Sequence, residues 1–456
     1  MKPRRSRFLQ RILAGVVVCG HTALAAGIDG SDSSESGQAL PSPSLDSLMA
    51  ASSINVEQSL GLVPTEPDST PVEKSLLGTE PEKLASSRKN SSSSSGRLSM
   101  NSSNGWTMST NTKNGEYLAR SLSGAGVTAL GAAWRDQMER QLQSIRNRTT
   151  TLNGAMPCEM ESDGKGDVCQ PPPYTVWGNA EIGYNHLDDQ GYQPGYKLNT
   201  LGGTVGFATS SSEDFTMGAA FTGMSGRIRA TGVGNAASGD LDAYYASVFA
   251  RKESGCVTHT FIGTVGFADT MLKRNASLGD VTYSTKGKSD GVGYGFMYEM
   301  GRTFRMNPEY MSNAWWQPVL NISYIHSTID GYSEDGSDIA LNVGKQTRNN
   351  VIFGLGGRMQ AMVAHEWLNR SALWEMRLLG KATAGARRQK VGVSMPALDE
   401  STTVGSAKSG VVGVEMGIGM TMPLGLNCGA VFMDFSAEFA DNYNAVNGTV
   451  GYRMDF

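Results

Sequence analysis

The sequence has 456 residues, of which 39 are Lys or Arg and 43 are Asp or Glu, so its formal net charge is −4. This near balance gives no basis for a nucleic-acid partner, and five cysteines in so long a chain exclude a fold built on disulfides. Beyond the N-terminal region, no segment is apolar over the ~20 residues that a transmembrane helix needs. A mature chain that enters a membrane must therefore do so with β-strands.

The first 25 residues have the three parts of a secretory signal peptide. A head with five Lys or Arg residues at positions 2–11 precedes an apolar stretch, 12–25, which ends in the A-x-A motif Ala23-Leu24-Ala25. The apolar stretch is too short for a membrane anchor, so we expect cleavage after residue 25 or 26. Cys19 is lost with the peptide, and four cysteines remain in the exported chain.

Residues 26–116 form a low-complexity segment. Serine, proline, asparagine and acidic residues dominate it, with the run SSRKNSSSSSG at positions 86–96. Its apolar residues are isolated and follow neither a helical nor a strand period. Such a segment cannot bury enough apolar surface to offset the entropy of ordering it, so we expect it to be disordered.

Residues 117–173 connect this segment to the C-terminal region and contain one predicted helix, from Ala132 to Arg148. Four large apolar residues recur on one face at spacings of four, four and three: Trp134, Met138, Leu142 and Ile145. Charged residues cover the other face, including Arg135, Arg140 and Arg146. The helix could pack on a soluble domain, but its many charges would also suit the polar lumen of a barrel.

An acidic loop follows the helix, and Cys158 and Cys169 flank it. In an oxidising compartment the two thiols could close a small loop, although their spacing permits a disulfide without requiring it. Cys256 and Cys428 lie at predicted turns on opposite sides of the strand region, so we do not expect them to pair. The acidic residues of the loop lack the spacing of an EF-hand, and no metal site is predicted.

Residues 174–456 are predicted to form twelve strands of alternating polarity. In the first strand, Val176 and Ile182 share an apolar face, while Asn179 and Glu181 occupy the other. A soluble antiparallel sheet would show the same period, but a charge facing a sandwich core is costly, whereas a charge in a barrel lumen is hydrated. The predicted strands are 175–186, 197–209, 215–229, 240–252, 256–272, 285–303, 316–328, 341–363, 372–389, 410–423, 428–439 and 445–456.

The connections between these strands differ in length on the two sides. If the first strand runs outwards from the periplasm, long polar loops such as 331–346 and 389–410 lie outside, and tight turns such as SSSED and KESGC lie inside. This asymmetry is typical of outer-membrane barrels. Two connections are exceptions: 302–315 is long for an inside turn, and ADNYN at 440–444 is short for an outside loop.

A signal peptide, an exported segment, a helix with the sequence WRDQMERQLQSIRNR and about 280 residues of strands ending in GYRMDF together resemble the autotransporter, or type V secretion, family. The resemblance implies an all-β fold, a twelve-stranded antiparallel transmembrane barrel with the helix in its lumen. It also implies that residues 26–116 are a passenger delivered to the cell surface. Because they lack the pattern of a long β-helical passenger, the resemblance does not indicate what the passenger does.

The resemblance also assigns roles to residues. Phe456, Met454 and Tyr452 match the terminal strand that the barrel-assembly machinery recognises, and an unpaired strand is physically a template for a sheet edge. On the lumen helix, we expect Trp134 to pack and the three arginines to meet lumen acids such as Glu181 or Glu438. The expected partners are outer-membrane lipid, the assembly machinery and periplasmic chaperones, around a monomeric barrel with no cofactor.

The leading functional hypothesis is therefore a non-enzymatic outer-membrane barrel that anchors and exports its own N-terminal segment. One alternative is a passive pore or channel, in which the helix would be absent from the lumen. A second is a barrel protease with a His/Asp site on the extracellular rim. The candidate residues for that site are His186, Asp188, Asp189, His326 and Asp330.

Overall fold

The computed structural model describes residues 97–101, 105–109, 124–152, 173–191, 193–212, 214–232, 237–278, 281–306, 314–365, 370–398, 400–424 and 429–456. The expectations for the signal peptide, for most of the passenger and for the Cys158–Cys169 loop fall outside these residues. Within the described part of the chain, no helix combines the length and the apolar character needed to cross a bilayer.

Twelve long strands in the described residues form a closed antiparallel barrel. Each strand pairs with its neighbours in the sequence, and the last pairs with the first, from Tyr443 opposite Leu187 to Asp455 opposite Thr175. The strands are β1 (Tyr174–Leu187), β2 (Tyr196–Ser212), β3 (Phe215–Ala230), β4 (Ala237–Ser254), β5 (Val257–Leu278), β6 (Val281–Arg302), β7 (Ala314–Ile329), β8 (Gln346–His365), β9 (Arg370–Gly385), β10 (Val412–Pro423), β11 (Gly429–Ala440) and β12 (Tyr443–Asp455). The predicted fold class is confirmed.

Alternation along the strands separates an apolar outer surface from a polar interior. On β1, the outward Val176 and Ile182 are exposed, whereas Asn179 and Glu181 face the lumen and are buried. On β11, Met433 and Phe435 are likewise exposed on the outside. Large exposed apolar residues recur on every strand, which is the arrangement of a barrel whose outer surface faces lipid.

The two ends of the barrel differ. Tyr174 and Phe456 meet at one end, which we call the terminal end, and the opposite loop end carries the two longest connections, 330–345 and 386–411. The terminal-end connection 303–313 is long, as expected, and includes a short strand, Phe304–Met306, paired with the start of β7. At the loop end, β11 and β12 are joined through Asn442, whose φ of 62° suits asparagine better than most residues.

The long loops fold into a second sheet of four short strands, which we call the lid sheet. It consists of Tyr332–Ser333, Asn342–Val343, Lys390–Met395 and Glu400–Gly405. Its buried side chains, among them Val391 and Val393, pack against Leu272 of β5 and Val127 just before the helix. The sequence analysis treated most of these residues as loop, and β8 therefore begins five residues later than expected.

A β-hairpin, Arg97–Asn101 paired with Gly105–Ser109, lies in the segment expected to be disordered. The register sets Leu98 opposite Met108 and Met100 opposite Trp106. These apolar residues alternate over only five positions on each strand, which is too short a pattern to stand out in a serine-rich segment.

Candidate functional site in the barrel lumen

A helix of the described residues, α1 (Thr128–Leu152), runs through the barrel from the loop end to the terminal end. A 3₁₀ turn, Ala125–Val127, precedes it, and the carbonyl of Val127 accepts a hydrogen bond from Gln346 at the loop-end start of β8. At the other end, Arg251 near the terminal end of β4 donates to the carbonyls of Thr149 and Thr150, at 3.1 Å each. The helix therefore extends along the lumen.

The apolar face of α1 packs into a groove lined by glycines. Met138 and Leu142 are fully buried against β5 and β6, where a Cβ atom at Gly266, Gly293 or Gly295 would lie 2.9–3.0 Å from their side-chain atoms. This glycine groove lets the helix approach the wall closely. Trp134 completes the face by stacking on Tyr245 of β4, with ring centroids 5.7 Å apart.

A second face of α1, next to the apolar one, is joined to the wall by ion pairs. Arg146 contacts the carboxylate of Glu415 on β10 and lies 3.8 Å from that of Glu299 on β6. Lys381 on β9 reaches into the lumen and contacts Glu139 of the helix. Buried charges are tolerated only when they are paired, so these contacts fix the helix against the β9–β10 side of the barrel.

Further ion pairs connect strands of the barrel wall to one another. Arg377 on β9 lies 2.8 Å from Glu375 of the same strand and 2.7 Å from Asp434 of β11. Arg358 on β8 joins Glu299 at 3.1 Å and Glu375 at 3.5 Å. The polar lumen wall is therefore an ionic network that spans β6 to β11, and α1 adds Arg146, Glu139 and Asn147 to it.

Arg135 and Arg140 contact partners other than Glu181 and Glu438, the lumen acids expected from the sequence. Arg135 pairs with Asp136 and Glu139 of its own helix, at 2.8 and 2.6 Å. Arg140 donates to the hydroxyl of Thr200 on β2 at 2.6 Å. The two acids proposed as partners are held elsewhere: Glu181 accepts from Ser144 at 3.0 Å, and Glu438 lies 2.5 Å from Lys381.

The cavities found beside α1 in the described part of the chain are small. Two cavities lie beside α1, one lined by Ser144, Glu181 and Asp434 and the other by Glu139 and Lys381. Their volumes are about 10 and 20 Å³, which is room for about one water molecule each. The helix occupies the position that an open channel would need.

The terminal residues lie on the outside of the barrel at the seam between β12 and β1. The backbone N–H of Phe456 donates to the carbonyl of Tyr174 at 2.8 Å, and the hydroxyl of Thr175 donates to Asp455 at 2.7 Å. Phe456 is exposed, and alternation puts Met454 and Tyr452 on the same outward face. The three residues thus form a continuous apolar edge at the terminal end.

The rim residues do not come together as one site. His186 lies 3.4 Å from Asp188, whereas His326 faces outwards, stacks on Tyr294 and contacts Asn349 at 2.6 Å. Asp330 instead pairs with Lys345 at 3.5 Å. In the described part of the chain, no three His, Cys, Asp or Glu side chains are grouped as metal ligands.

Cys256, in the turn between β4 and β5, is disulfide-bonded. The other four cysteines lie outside the described residues. If Cys158 pairs with Cys169, the remaining partner for Cys256 in a mature monomer is Cys428. The Cys158–Cys169 pairing that the sequence permits and the expectation that Cys256 does not pair with Cys428 therefore cannot both hold.

An ion pair that the sequence analysis missed ties the lid sheet to the barrel. Arg274 of β5 lies 2.6 Å from Glu334, both are buried, and the carboxylate of Glu334 also accepts from the backbone N–H of Leu341. Burial, together with the negative charge of Glu334, raises the pKa of the neighbouring Tyr332 hydroxyl. Strand alternation places Arg274 in the lumen-facing set, but nothing in the sequence indicates a partner 60 residues away.

A family model, the autotransporter beta-domain, matches residues 176–434. The fold is similar to the translocator domain of the autotransporter NalP from Neisseria meningitidis, with 14% identity, a TM-score of 0.52, and coverage of 71% of this chain and 99% of that one. The transport unit of AIDA-I from Escherichia coli matches at 15% identity and a TM-score of 0.44, over 69% and 98% of the two chains. A search of curated protein sequences found no match. The chain belongs to the autotransporter beta-domain family and is an outer-membrane translocator barrel.

Proposed function

We propose that this barrel exports its own N-terminal segment, residues 26–116, to the cell surface and keeps it anchored there. One observation carries the proposal. The chain enters the lumen at the loop end, beside Gln346, and its helix ends near Arg251 at the terminal end. Because loops of outer-membrane barrels are extracellular and their turns periplasmic, the residues that precede the helix would lie outside the cell.

The proposal requires no active site. Lipid stabilises the apolar outer surface, and pairing of β12 with β1 closes the barrel sheet, so that neither of these two described strands is left as a sheet edge. The ionic contacts of Arg146 and Lys381 would hold the helix in the lumen after export, so that it joins passenger to barrel and restricts leakage. We further propose that the apolar edge of Phe456, Met454 and Tyr452 is the signal through which the assembly machinery inserts the barrel.

An epitope tag inserted after Ser33 tests the proposal on intact cells. Antibody binding with the full-length protein retained in the membrane is expected for an anchored passenger. Exposure with only the barrel left in the membrane would mean that the passenger is released. A tag reachable only after the outer membrane is broken would contradict export.

The alternative of a passive channel makes a different prediction for the purified protein in planar bilayers. With the lumen occupied by α1, we expect little single-channel conductance. Deletion of residues 124–152 should then open the barrel and raise the conductance. A large conductance of the intact protein would favour a channel and contradict a helix that stays in the lumen.

A further inference from the structure

The outer surface carries a line of cations across five neighbouring strands near the loop end. The register sets Lys197 of β2 opposite Arg229 of β3, Arg229 opposite Ser238 of β4, Ser238 opposite Lys273 of β5, and Lys273 opposite Lys286 of β6. We call Lys197, Arg229, Lys273 and Lys286 the cation row. Four of its five consecutive positions are positively charged.

All four cations face away from the lumen. Each is exposed, while neighbours along the strands such as Leu198, Ile228 and Leu272 are buried. Among the described residues, no salt bridge within 4 Å involves any of the four, in contrast to Arg227, which lies 3.8 Å from Asp240. The row ends at Lys286, whose backbone forms a bridge with Asp335.

The cation row lies just beyond the apolar band. On β2, Lys197 is four residues from the exposed Leu201, and on β5, Lys273 is six residues from the exposed Phe267, in both cases towards the loop end. At ~3.3 Å per residue along tilted strands, these offsets place Lys197 and Lys273 roughly 10–15 Å above Leu201 and Phe267, with the half-buried Met271 between Phe267 and Lys273 on β5. That height corresponds to the headgroups of the outer leaflet.

On three of the five strands, a row of carboxylates lies between the cation row and the apolar band, whereas the same register positions on β2 and β3 are Leu201 and Ser225. Asp242, Asp269 and Asp290 are adjacent in register on β4, β5 and β6 and also face outwards. An anion is therefore disfavoured at the edge of the band and favoured higher up, at the cation row. This arrangement selects a ligand whose negative charges lie above its acyl chains.

Two of the cross-strand pairs set like charges directly opposite each other, Lys197 with Arg229 and Lys273 with Lys286. Such pairs are destabilising in isolation, and an anion between the two side chains removes the repulsion. Strands are ~4.8 Å apart, so the midpoints of the two pairs are separated by about three spacings, or ~14 Å. We propose that the cation row binds one outer-leaflet lipid whose headgroup carries two phosphate groups, one phosphate at each pair.

Lipid retention by the full-length protein tests this proposal. Protein purified in a non-ionic detergent is titrated with diphosphoryl lipid A, and native mass spectrometry measures the fraction that carries one lipid. We expect K197Q/R229Q and K273Q/K286Q each to weaken binding about tenfold, since each cation near an anionic headgroup contributes severalfold. A matched control, K390Q/K408Q, removes two exposed charges from the loops and should bind as the unmodified protein does.

Three comparisons make the outcome decisive. Monophosphoryl lipid A should bind more weakly than the diphosphoryl form, and phosphatidylglycerol or inorganic phosphate should not displace the bound lipid at equal concentration. Equal binding by both row variants and the unmodified protein would overturn the proposal, as would equal losses in the control. Equal affinity for the mono- and diphosphoryl lipids would overturn the two-phosphate arrangement.

Heat-modifiable migration tests whether each variant forms a folded barrel. A double variant without heat-modifiable migration is replaced by its two single substitutions.

Discussion

The ammonium group of Lys381 contacts the carboxylate of Glu139 in the lumen. This contact joins β9 to α1. Lys381 also lies 2.5 Å from Glu438 of β11. One cation therefore neutralises two carboxylates from different elements, and its removal should leave Glu438 without its cation and Glu139 with Arg135 alone.

We expect Lys381→Met to lower stability by about 3–5 kcal/mol, the usual loss when one member of a buried ion pair is removed. The measurement is the temperature at which the folded barrel loses its fast electrophoretic migration. Lys390→Met, at an exposed position of the lid sheet, is the matched control. A melting temperature equal to that of the control would mean that Glu139 and Glu438 are neutralised in another way.

Gly293→Val should displace the helix, because a Cβ atom there would lie 3.0 Å from Met138 Sδ. Overpacking of this kind costs about 1–3 kcal/mol, and the displaced helix should raise the single-channel conductance. Shortening the helix side chain in the double variant G293V/M138A should restore both properties. The control is Gly263→Val on the outward face of β5, where the nearest atoms are 3.6 Å away. If Gly293→Val and Gly263→Val behave alike, the glycine groove does not position the helix.

Deletion of Phe456, or Phe456→Glu, should reduce the amount of barrel inserted in the outer membrane severalfold, because the apolar end of the final strand would be lost. Quantitative detection of heat-modifiable protein in outer-membrane fractions measures the effect. Phe304→Glu places the same charge at another exposed terminal-end phenylalanine. If both substitutions reduce insertion equally, the cause is a charge near the membrane interface and not loss of an assembly signal.

We expect peptide mapping under non-reducing conditions to link Cys256 to a cysteine of the 153–172 linker. The turn that holds Cys256 follows β4, and the connection that contains Cys428 follows β10, six strands around a ring of twelve. A disulfide joins Cα atoms only ~4.4–6.8 Å apart, whereas Arg251 holds the end of the helix, and thus the start of the linker, beside β4. A Cys158–Cys169 peptide together with a Cys256–Cys428 peptide would contradict this expectation.

The strand region was predictable because each strand repeats one simple rule. Val176 and Ile182 face lipid and Glu181 faces the lumen, and twelve segments of that kind specify a barrel without any knowledge of their partners. The apolar face of α1 was equally visible, since Trp134 and Met138 obey the helical period. These features depend only on residues close together in the sequence.

The pairing of charges in the ionic network could not be predicted from the sequence in the same way. Alternation identifies Glu415 and Lys381 as lumen residues, but which charge of the helix meets which strand depends on the shear of the barrel and on the rotation of α1. Arg146 consequently meets Glu415 and not Glu181 or Glu438. The lid sheet was missed for a related reason, because its strands are two to six residues long and gain their burial from Leu272 and Val127, far away in the sequence.

The lumen has two unlike sides, glycine-lined on β5 and β6 and ionic from β8 to β11, and this difference restricts which helices the barrel can accommodate. A rotation of α1 about its axis that turned Trp134 and Met138 towards β9 and β10 would set them against carboxylates and move Arg146 away from Glu415. The lumen is therefore complementary to α1 in only one orientation of the helix about its axis. A helix from a relative would fit only if its apolar and charged faces were arranged in the same order. In chimaeras that exchange helices, the fit of the helix should therefore depend on that order and not on overall sequence identity.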